Sequence, residues 1–403
     1  MKPVEIGPGI FWVGVNDKTT DLFEGLWPVR KEGVSYNSYL IIDKKKAIVD
    51  LIKPIKTEEY LIGLEALTPI KEIDYIVLNH LEPDHAGLLL TFARLAPQAR
   101  FVCSAKAAEM IPRFLKVEGG DRFLVVKDGD GLDLGEKSLQ FFSTPFLHWP
   151  ETMMTYEKSQ KILFSCDAFG GFGAIHGRIF DDEADSLEFY EKEALRYYVN
   201  IVANYSQRVV AAIEKLSAVT VNIIAPSHGL IWRQRPGRII ELYQKWANYA
   251  SGVKEKGITL IFGSMYGFTE SLTDAVARGL ARTGIKYCLF DGGRTSVSYI
   301  LPSLWTMEGV MVGAPTYEVR LFPPIRNILE MARHKRIFGL KAAYFGSYGW
   351  SGGALKEFRQ LAEELKWKVM DTFEVQGMPD KNDLAKAEKW AEKFALSLLQ
   401  TQD

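Results

Sequence analysis

The 403-residue sequence is poor in sulfur and imidazole, with three cysteines and six histidines. Cys103, Cys166 and Cys288 are far apart and odd in number, which argues against a disulfide framework. No CxxC pair occurs, so a tetrathiolate iron site or an ordinary iron–sulfur cluster within the chain is excluded. Cys166, inside the apolar run KILFSC, reads as a small buried hydrophobe. Charge of one sign is not in excess either. With 49 basic against 50 acidic residues, nothing suggests a nucleic-acid groove or a membrane-surface patch. No apolar run reaches the length of a membrane span. The opening MKPVEIGPGIFWVGV lacks the apolar core and cleavage site of a signal peptide, so a soluble, cytoplasmic protein is expected.

The length suits two domains, each with its own core. Up to residue 250, strand-like runs such as GIFWVGV, SYLIIDKKKAIVDLI and IDYIVLNH are separated by helical ones such as AGLLLTFARLAP. The segment SLEFYEKEALRYYVNIVANYSQRVVAAIEKL carries a long helical period. The polar, glycine-containing stretch at 251–257 reads as a linker. From 258 to 403, five strands alternate with helices, which predicts a parallel doubly wound sheet in a flavodoxin-sized domain.

The histidines are few but placed pointedly. His80 ends the strand IDYIVLN, His148 follows LQFFSTPFL, Asp167 ends KILFSC, and His228 follows VNIIAPS. Strand ends at one sheet edge are where α/β proteins gather functional side chains. In NHLEPDHAG, Pro83 keeps Glu82 extended, so His80 and Glu82 can reach one ion while Asp84 and His85 turn toward a second. Four imidazoles and three carboxylates can hold two metals with one carboxylate bridging. Glu82 makes one pocket harder, which suits iron or manganese, although zinc also accepts carboxylates. His176 and His334 stay unassigned; the latter sits in the basic helical end RHKR.

HxExDH followed by His148, Asp167 and His228 closely resembles the flavodiiron proteins, or A-type flavoproteins. The intervals of 62, 18 and 60 residues between His85, His148, Asp167 and His228 also fit. The resemblance covers essentially the whole chain. It implies an N-terminal αββα metallo-β-lactamase-like domain over 1–250, followed by a flavodoxin-like domain with a doubly wound parallel five-stranded sheet. Hydrolases of the first fold usually carry HxHxDH, and the glutamate at the second position marks this family. Residue by residue, His80, Glu82 and His148 match ligands of one iron. Asp84, His85 and His228 match ligands of the other, and Asp167 matches the bridge. Tyr197 matches a tyrosine beside the metals whose hydroxyl can point at bound substrate; a packed helix-face aromatic is the alternative.

Three loops are candidates for binding FMN. GSMYGFTE supplies Ser264, Met265, Tyr266, Gly267, Phe268 and Thr269 between a strand and a helix N-terminus, a setting in which backbone N–H groups cradle phosphate. Tyr266 stands where the usual flavodoxin loop, T/S-x-T-G-x-T, has a hydroxyl residue. APTYEV supplies Pro315, Thr316, Tyr317 and Glu318. GSYGWSGGA supplies Ser347, Tyr348, Gly349, Trp350, Ser351 and Gly352, with Tyr348 and Trp350 as partners for a flavin ring. In flavodoxin-like sheets such loops meet at the topological switch point.

The resemblance implies an oxidoreductase that reduces oxygen to water, nitric oxide to nitrous oxide, or both, with FMN and two iron ions per chain. It implies a head-to-tail homodimer, or a tetramer built from it. With no thiolate cluster in the chain, the electron donor is expected to be separate: a rubredoxin-like protein or a reduced deazaflavin. A dizinc hydrolase with an accessory flavodoxin domain and a flavin electron carrier are the alternatives.

Overall fold

The computed structural model describes residues 2–252 and 254–400. The chain divides into two compact units between Ala247 and Asn248.

The first unit is built on two sheets. One runs in spatial order Val4–Gly7, Ile10–Trp12, Tyr39–Ile41, Ala47–Val49, Tyr75–Val77, Arg100–Ser104 and Phe123–Val126. Its first three pairings are antiparallel and its last three parallel. The other runs Gly131–Asp133, Ser138–Ser143, Met153–Glu157, Ile162–Cys166 and Ile223–Pro226, with only the last pair parallel. Strand residues alternate between faces. Tyr39, Ile41, Ala47 and Val49 of the first sheet therefore share one core with Leu139, Phe141, Ile162 and Phe164 of the second. Each of the larger aliphatic and phenyl side chains contributes about 1.5–3 kcal/mol on burial. The helix Ala105–Phe114 packs on Arg100–Ser104 and Phe123–Val126, and begins where the Ser104 hydroxyl accepts from Ala107 N–H at 3.2 Å.

Strand direction decides where side chains gather. Ala47–Val49, Tyr75–Val77 and Arg100–Ser104 are mutually parallel and end at one edge. In the second sheet, two antiparallel steps return Ile162–Cys166 to the direction of Ser138–Ser143, and Ile223–Pro226 runs parallel to it. Asn79 ties the two edges together. Its Nδ2 donates to Asp50 Oδ2 (3.1 Å) and to the Phe164 carbonyl (3.5 Å). Its Oδ1 accepts from Thr155 Oγ1 at 2.7 Å.

The long helical stretch is interrupted. Leu187–Tyr197 is α-helical, Tyr198–Val202 widens into a π-helix, Ala203–Tyr205 tightens to 3₁₀, and Ser206–Leu216 resumes as α-helix. At the widening, Asn200 Nδ2 donates to the Arg196 carbonyl at 2.7 Å, which diverts that acceptor toward a side chain.

The main sheet of the second unit has five strands, all parallel, in spatial order Tyr287–Asp291, Glu255–Phe262, Met307–Gly313, Lys341–Tyr348 and Lys368–Gln376. Strand order reverses between the first and third strands in sequence, which sets the switch point. Helices Phe268–Thr283 and Lys381–Gln400 bury Leu272, Val276, Ala387 and Ala391 in one core with strand residues Ile258 and Leu260. They touch backbone to backbone: a Cβ at Gly279 would lie 2.1 Å from the Glu388 carbonyl.

The expected linker over 251–257 is shorter than its polarity implied. A 3₁₀ turn covers Tyr249–Ser251, Val253 lies outside the described residues, and strand pairing starts at Glu255, opposite Met307. The KEKG charges sit at the sheet end, where Glu255 accepts from Tyr249 Oη at 2.7 Å and Lys256 Nζ donates to the Leu398 carbonyl at 3.1 Å. Among the described residues, no helix is long and apolar enough to cross a membrane.

Candidate metal centre and flavin cavity

At the shared edge of the two sheets, seven side chains form two groups of potential metal ligands. His80, Glu82, His148 and Asp167 make one group, and Asp84, His85 and His228 the other, each with ligand atoms within 4.8 Å of one another. His80 leaves the end of Tyr75–Val77. Glu82 is extended, at φ −57° and ψ 142°, and Pro83 occupies the first turn of the short helix Pro83–Ala86, which carries Asp84 and His85. His148 sits in a loop closed by Thr144 N–H on the Thr152 carbonyl (3.0 Å) and Phe146 N–H on the Trp149 carbonyl (2.7 Å). Asp167 is turned inward by Cys166, which adopts the left-handed φ of 55° and whose carbonyl accepts from Ser227 N–H at 2.8 Å.

Asp167 belongs to both groups. Its Oδ2 lies 3.1 Å from His148 Nε2 and 3.6 Å from His80 Nε2. Its Oδ1 lies 3.0 Å from His85 Nε2 and 3.3 Å from His228 Nε2. Glu82 Oε2 completes the first group, 3.2 Å from His80 Nε2 and 3.3 Å from His148 Nε2. Asp84 Oδ2 completes the second, 3.3 Å from His228 Nε2.

Two of the imidazoles are aimed from behind. His80 Nδ1 meets Glu151 Oε1 at 2.8 Å, and His228 Nδ1–H donates to the Ser35 carbonyl at 2.7 Å. Both contacts leave Nε2 facing the carboxylates, the orientation that a metal-binding histidine needs. Glu151 is buried and also accepts from Leu81 N–H at 3.0 Å.

The electrostatics call for positive charge. Burial opposes ionisation of Asp167, yet His85, His148 and His228 hold its carboxyl well below the usual carboxylate range. Burial likewise opposes charge on His80, but its hydrogen bonds to Glu151 and Glu82 lift it to about 9. Protons or metal cations can satisfy this arrangement. Hydrogen bonding alone does not: Asp84 Oδ1, His85 Nε2, Asp167 Oδ1 and His228 Nε2 are buried without a hydrogen-bond partner. A mixed imidazole and carboxylate donor set of this kind fits two divalent metals.

Tyr197 is buried beside the second group, its ring 5.5 Å from that of His228 and 5.1 Å from that of Phe172. Phe23 meets His228 edge-on at 5.4 Å. His176 lies elsewhere, 2.7 Å from Lys18 Nζ at the surface.

In the second unit, a cavity of about 380 Å³ opens at the switch point. Its walls include Ser264, Met265, Tyr266, Phe268 and Thr269 from the first loop, and Pro315, Thr316, Tyr317 and Glu318 from the second. Ser347, Tyr348, Gly349 and Trp350 come from the third. Gly267 is off the wall. It precedes the helix Phe268–Thr283 in the left-handed region, at φ 84°, and its N–H donates to Ser264 Oγ at 3.1 Å. No side chain caps that helix, so its first N–H groups are available to an anion. Ser351 and Gly352 also lie off the wall, where the loop has already turned toward the helix Ala354–Glu364.

A profile of the ODP family beta lactamase matches residues 34–229, and one of flavodoxin matches 260–390. The chain is 35% identical over 386 residues to the anaerobic nitric oxide reductase flavorubredoxin of Escherichia coli O6:K15:H31, covering 93% of this chain and 78% of that one. The Shigella flexneri protein of the same name matches at the same identity and coverage. This chain belongs to the flavodiiron protein family. Its fold superposes on the rubredoxin oxygen:oxidoreductase of Desulfovibrio gigas with a TM-score of 0.92, at 27% identity and 99% coverage of both chains. The flavodiiron protein of Giardia intestinalis gives 0.91 at 29% identity, covering 99% of this chain and 97% of that one.

For a member of this family, the sequence reading missed three kinds of residue. Glu151 lay in plain view in HWPE, three positions after His148, but nothing local shows that it turns back to His80. Asp50 Oδ1 accepts Asn79 N–H at 2.8 Å between neighbouring strand ends of the first sheet, and Asn79 in turn reaches Phe164 and Thr155 of the second. Gly377 lines the cavity from VQGMPD, the loop after the last strand; the signal was that this loop leaves the same sheet edge as the other three.

Proposed function

We propose that the chain is a flavodiiron oxidoreductase that takes electrons from a separate donor and reduces oxygen to water, nitric oxide to nitrous oxide, or both. The observation that carries this reading is the division of Asp167, one oxygen toward His80 and His148 and the other toward His85 and His228. A carboxylate so placed suits the space between two cations, and Glu82 favours iron in the first group. When bound, two irons and FMN supply the redox chemistry: four electrons and four protons turn O₂ into two waters, and two electrons and two protons turn two NO into N₂O and one water.

The protein's own part is to hold and orient. His80, Glu82 and His148 would grip one iron, Asp84, His85 and His228 the other, and Asp167 both. Three carboxylates among the seven groups offset most of the charge of two divalent ions. Glu151 and the Ser35 carbonyl keep two imidazoles aimed. Tyr197 is placed to hold a proton near the second group, since burial and the charges of Asp167, Asp84 and Glu82 keep its hydroxyl protonated. In the second unit, Ser264, Thr269 and the start of Phe268–Thr283 would hold the flavin phosphate, with Tyr348 and Trp350 beside the ring.

The family relatives are named for both gases, and one for rubredoxin. This supports a rubredoxin-like donor ahead of a reduced deazaflavin. The exposed apolar side chains Tyr266, Trp350 and Met378 at and near the cavity rim support a head-to-tail dimer, or a tetramer built from it, in which one copy's flavin serves another copy's irons.

The decisive experiment combines metal analysis with anaerobic turnover. Two irons and one FMN per chain are expected, with sustained consumption of oxygen or nitric oxide by the reduced protein. Two zincs per chain with thioester or lactam hydrolysis overturns the reading.

A further inference from the structure

We infer that Arg196 is a positioning residue: its guanidinium clamps together the three segments that wall the His228 side of the metal centre. This rests on the proposed diiron function for what the wall does, but not for the clamp itself. Arg196 is buried, at 2% exposure, and so is Glu193, at 4%. Its Nε donates to Glu193 Oε2 at 2.7 Å within the helix Leu187–Tyr197, and its Nη2 lies 3.6 Å from Glu32 Oε2. Its Nη1 donates to the Pro28 carbonyl at 2.9 Å, at the end of the hairpin Leu22–Phe23/Trp27–Pro28. Its flat face covers the Phe172 ring at 4.4 Å.

Each segment carries a ring of the wall, and two of the three rings meet His228 directly. The hairpin carries Phe23, edge-on to His228 at 5.4 Å. The helix carries Tyr197, 5.5 Å from His228. The loop leaving Asp167 carries Phe172, which packs on both Phe23 (5.4 Å) and Tyr197 (5.1 Å). Burying an ion cluster is a poor way to gain stability, because desolvation offsets much of the attraction. What a buried arginine offers is a rigid planar fork that fixes several partners in one geometry. Here those partners are the mounts of one aromatic wall, and a small shift of such a wall changes how a diatomic or an anion approaches the second group.

The test sets Arg196→Lys against Arg122→Lys in the full-length protein. Arg122 is another multi-bonded arginine of the first unit, donating to the carbonyls of Ala99, Ala93 and Ala96 and lying over Phe101 at 4.2 Å, away from the metal groups. Lysine keeps the charge and loses the fork. In Arg196→Lys, amide hydrogen exchange should quicken together in peptides covering 21–33 and 168–174. Azide affinity of the oxidised iron-loaded protein, and KM for the gas more than kcat, should shift by about fivefold or more. Arg122→Lys should lose comparable stability with azide affinity unchanged. Should Arg196→Lys fail to fold, Glu32→Gln, which keeps the guanidinium and removes one partner charge, is measured in the same way and should loosen the same two peptides. Exchange confined to Leu187–Tyr197, or an equal azide shift in Arg122→Lys, overturns the inference. Absence of iron from the wild-type protein would instead sink the diiron reading, and the exchange result would still decide the clamp.

Discussion

His80 and Trp350 mark two ways of building a site in one chain. His80 is wholly buried and held by a buried glutamate, whereas Trp350 is 91% exposed at a loop tip. In the first unit the site is made of side chains whose orientation is fixed by a further layer of hydrogen bonds. In the second it is made of loop backbone, a helix N-terminus and aromatic faces open to solvent. The lesson is one of rigidity. A metal centre needs ligand atoms held to fractions of an ångström, so it lies deep and carries unsatisfied buried atoms in exchange. A flavin brings its own phosphate and large ring, so shallow loops at a sheet edge suffice.

The largest effect should follow from the shared carboxylate. Asp167→Asn leaves volume unchanged but removes the charge that faces both groups. Turnover should fall by on the order of 10³-fold or more, beyond the 10–100-fold typical of groups behind the ligands. Metal analysis should show fewer than two irons per chain. FMN content should stay at one, because nothing in the second unit is touched. An Asp167→Asn protein with full iron content and activity would break the contrast at its root.

Glu151→Gln tests the supporting layer. The amide can still accept from Leu81 N–H, but it no longer offers a full negative charge to His80 Nδ1–H. Metal affinity should drop about 10–100-fold, read by chelator competition, while the fold is retained. No counterpart is expected in the flavin loops: among the described residues of the second unit, no fully buried side chain is charged.

Trp350→Ala probes the open site. Loss of one stacked aromatic is worth about 0.5–1.5 kcal/mol, which corresponds to roughly a 2–10-fold weaker FMN Kd by fluorescence quenching. Iron content should not change. A loss of FMN binding beyond 100-fold would show that the loop is a rigid platform and erase the distinction between the two sites.

The same contrast explains what could be read from the sequence. The seven side chains gathered at the sheet edge are legible because each follows a strand or opens a helix, and because Pro83 fixes the local geometry at Glu82. The three flavin loops are legible because parallel strands send consecutive loops to one edge. Glu151, Asn79 and Asp50 are not, since their roles exist only after neighbouring strands pair, for Asp50, or two sheets pack, for Glu151 and Asn79, and bring distant segments within hydrogen-bond reach. The π-helical interruption after Tyr197 was hidden for a similar reason: the helical period continues through it, and only the Asn200 to Arg196 bond marks the widening. The strand start at Glu255 was masked by the charges of KEKG, although the backbone at Glu255 is already paired with Met307.

The smallest expected effect on turnover comes from a charge that serves neither site. Lys254 is largely buried in the second unit, its Nζ donating to the Trp305 carbonyl at 2.5 Å and lying 5.0 Å from the Trp305 ring and 5.9 Å from that of Tyr249. Burial pushes its ammonium down to about 8. An unfolded lysine keeps its proton to about 10.4, so between these values the unfolded state binds more protons and wild-type stability rises with pH. Below pH 8 the penalty is fully present. Lys254→Met abolishes it, so the variant should gain relative to wild type at pH 7, and the difference should shift toward wild type by on the order of 1–2 kcal/mol between pH 8 and 9.5. Denaturant melts at matched pH values measure that slope, with iron and FMN content expected to be the same in both proteins. A pH-independent difference would mean that the carbonyl and the two rings fully compensate the buried charge. The second unit would then hold a satisfied buried cation of its own, and the contrast with the metal centre would narrow to the ligands themselves.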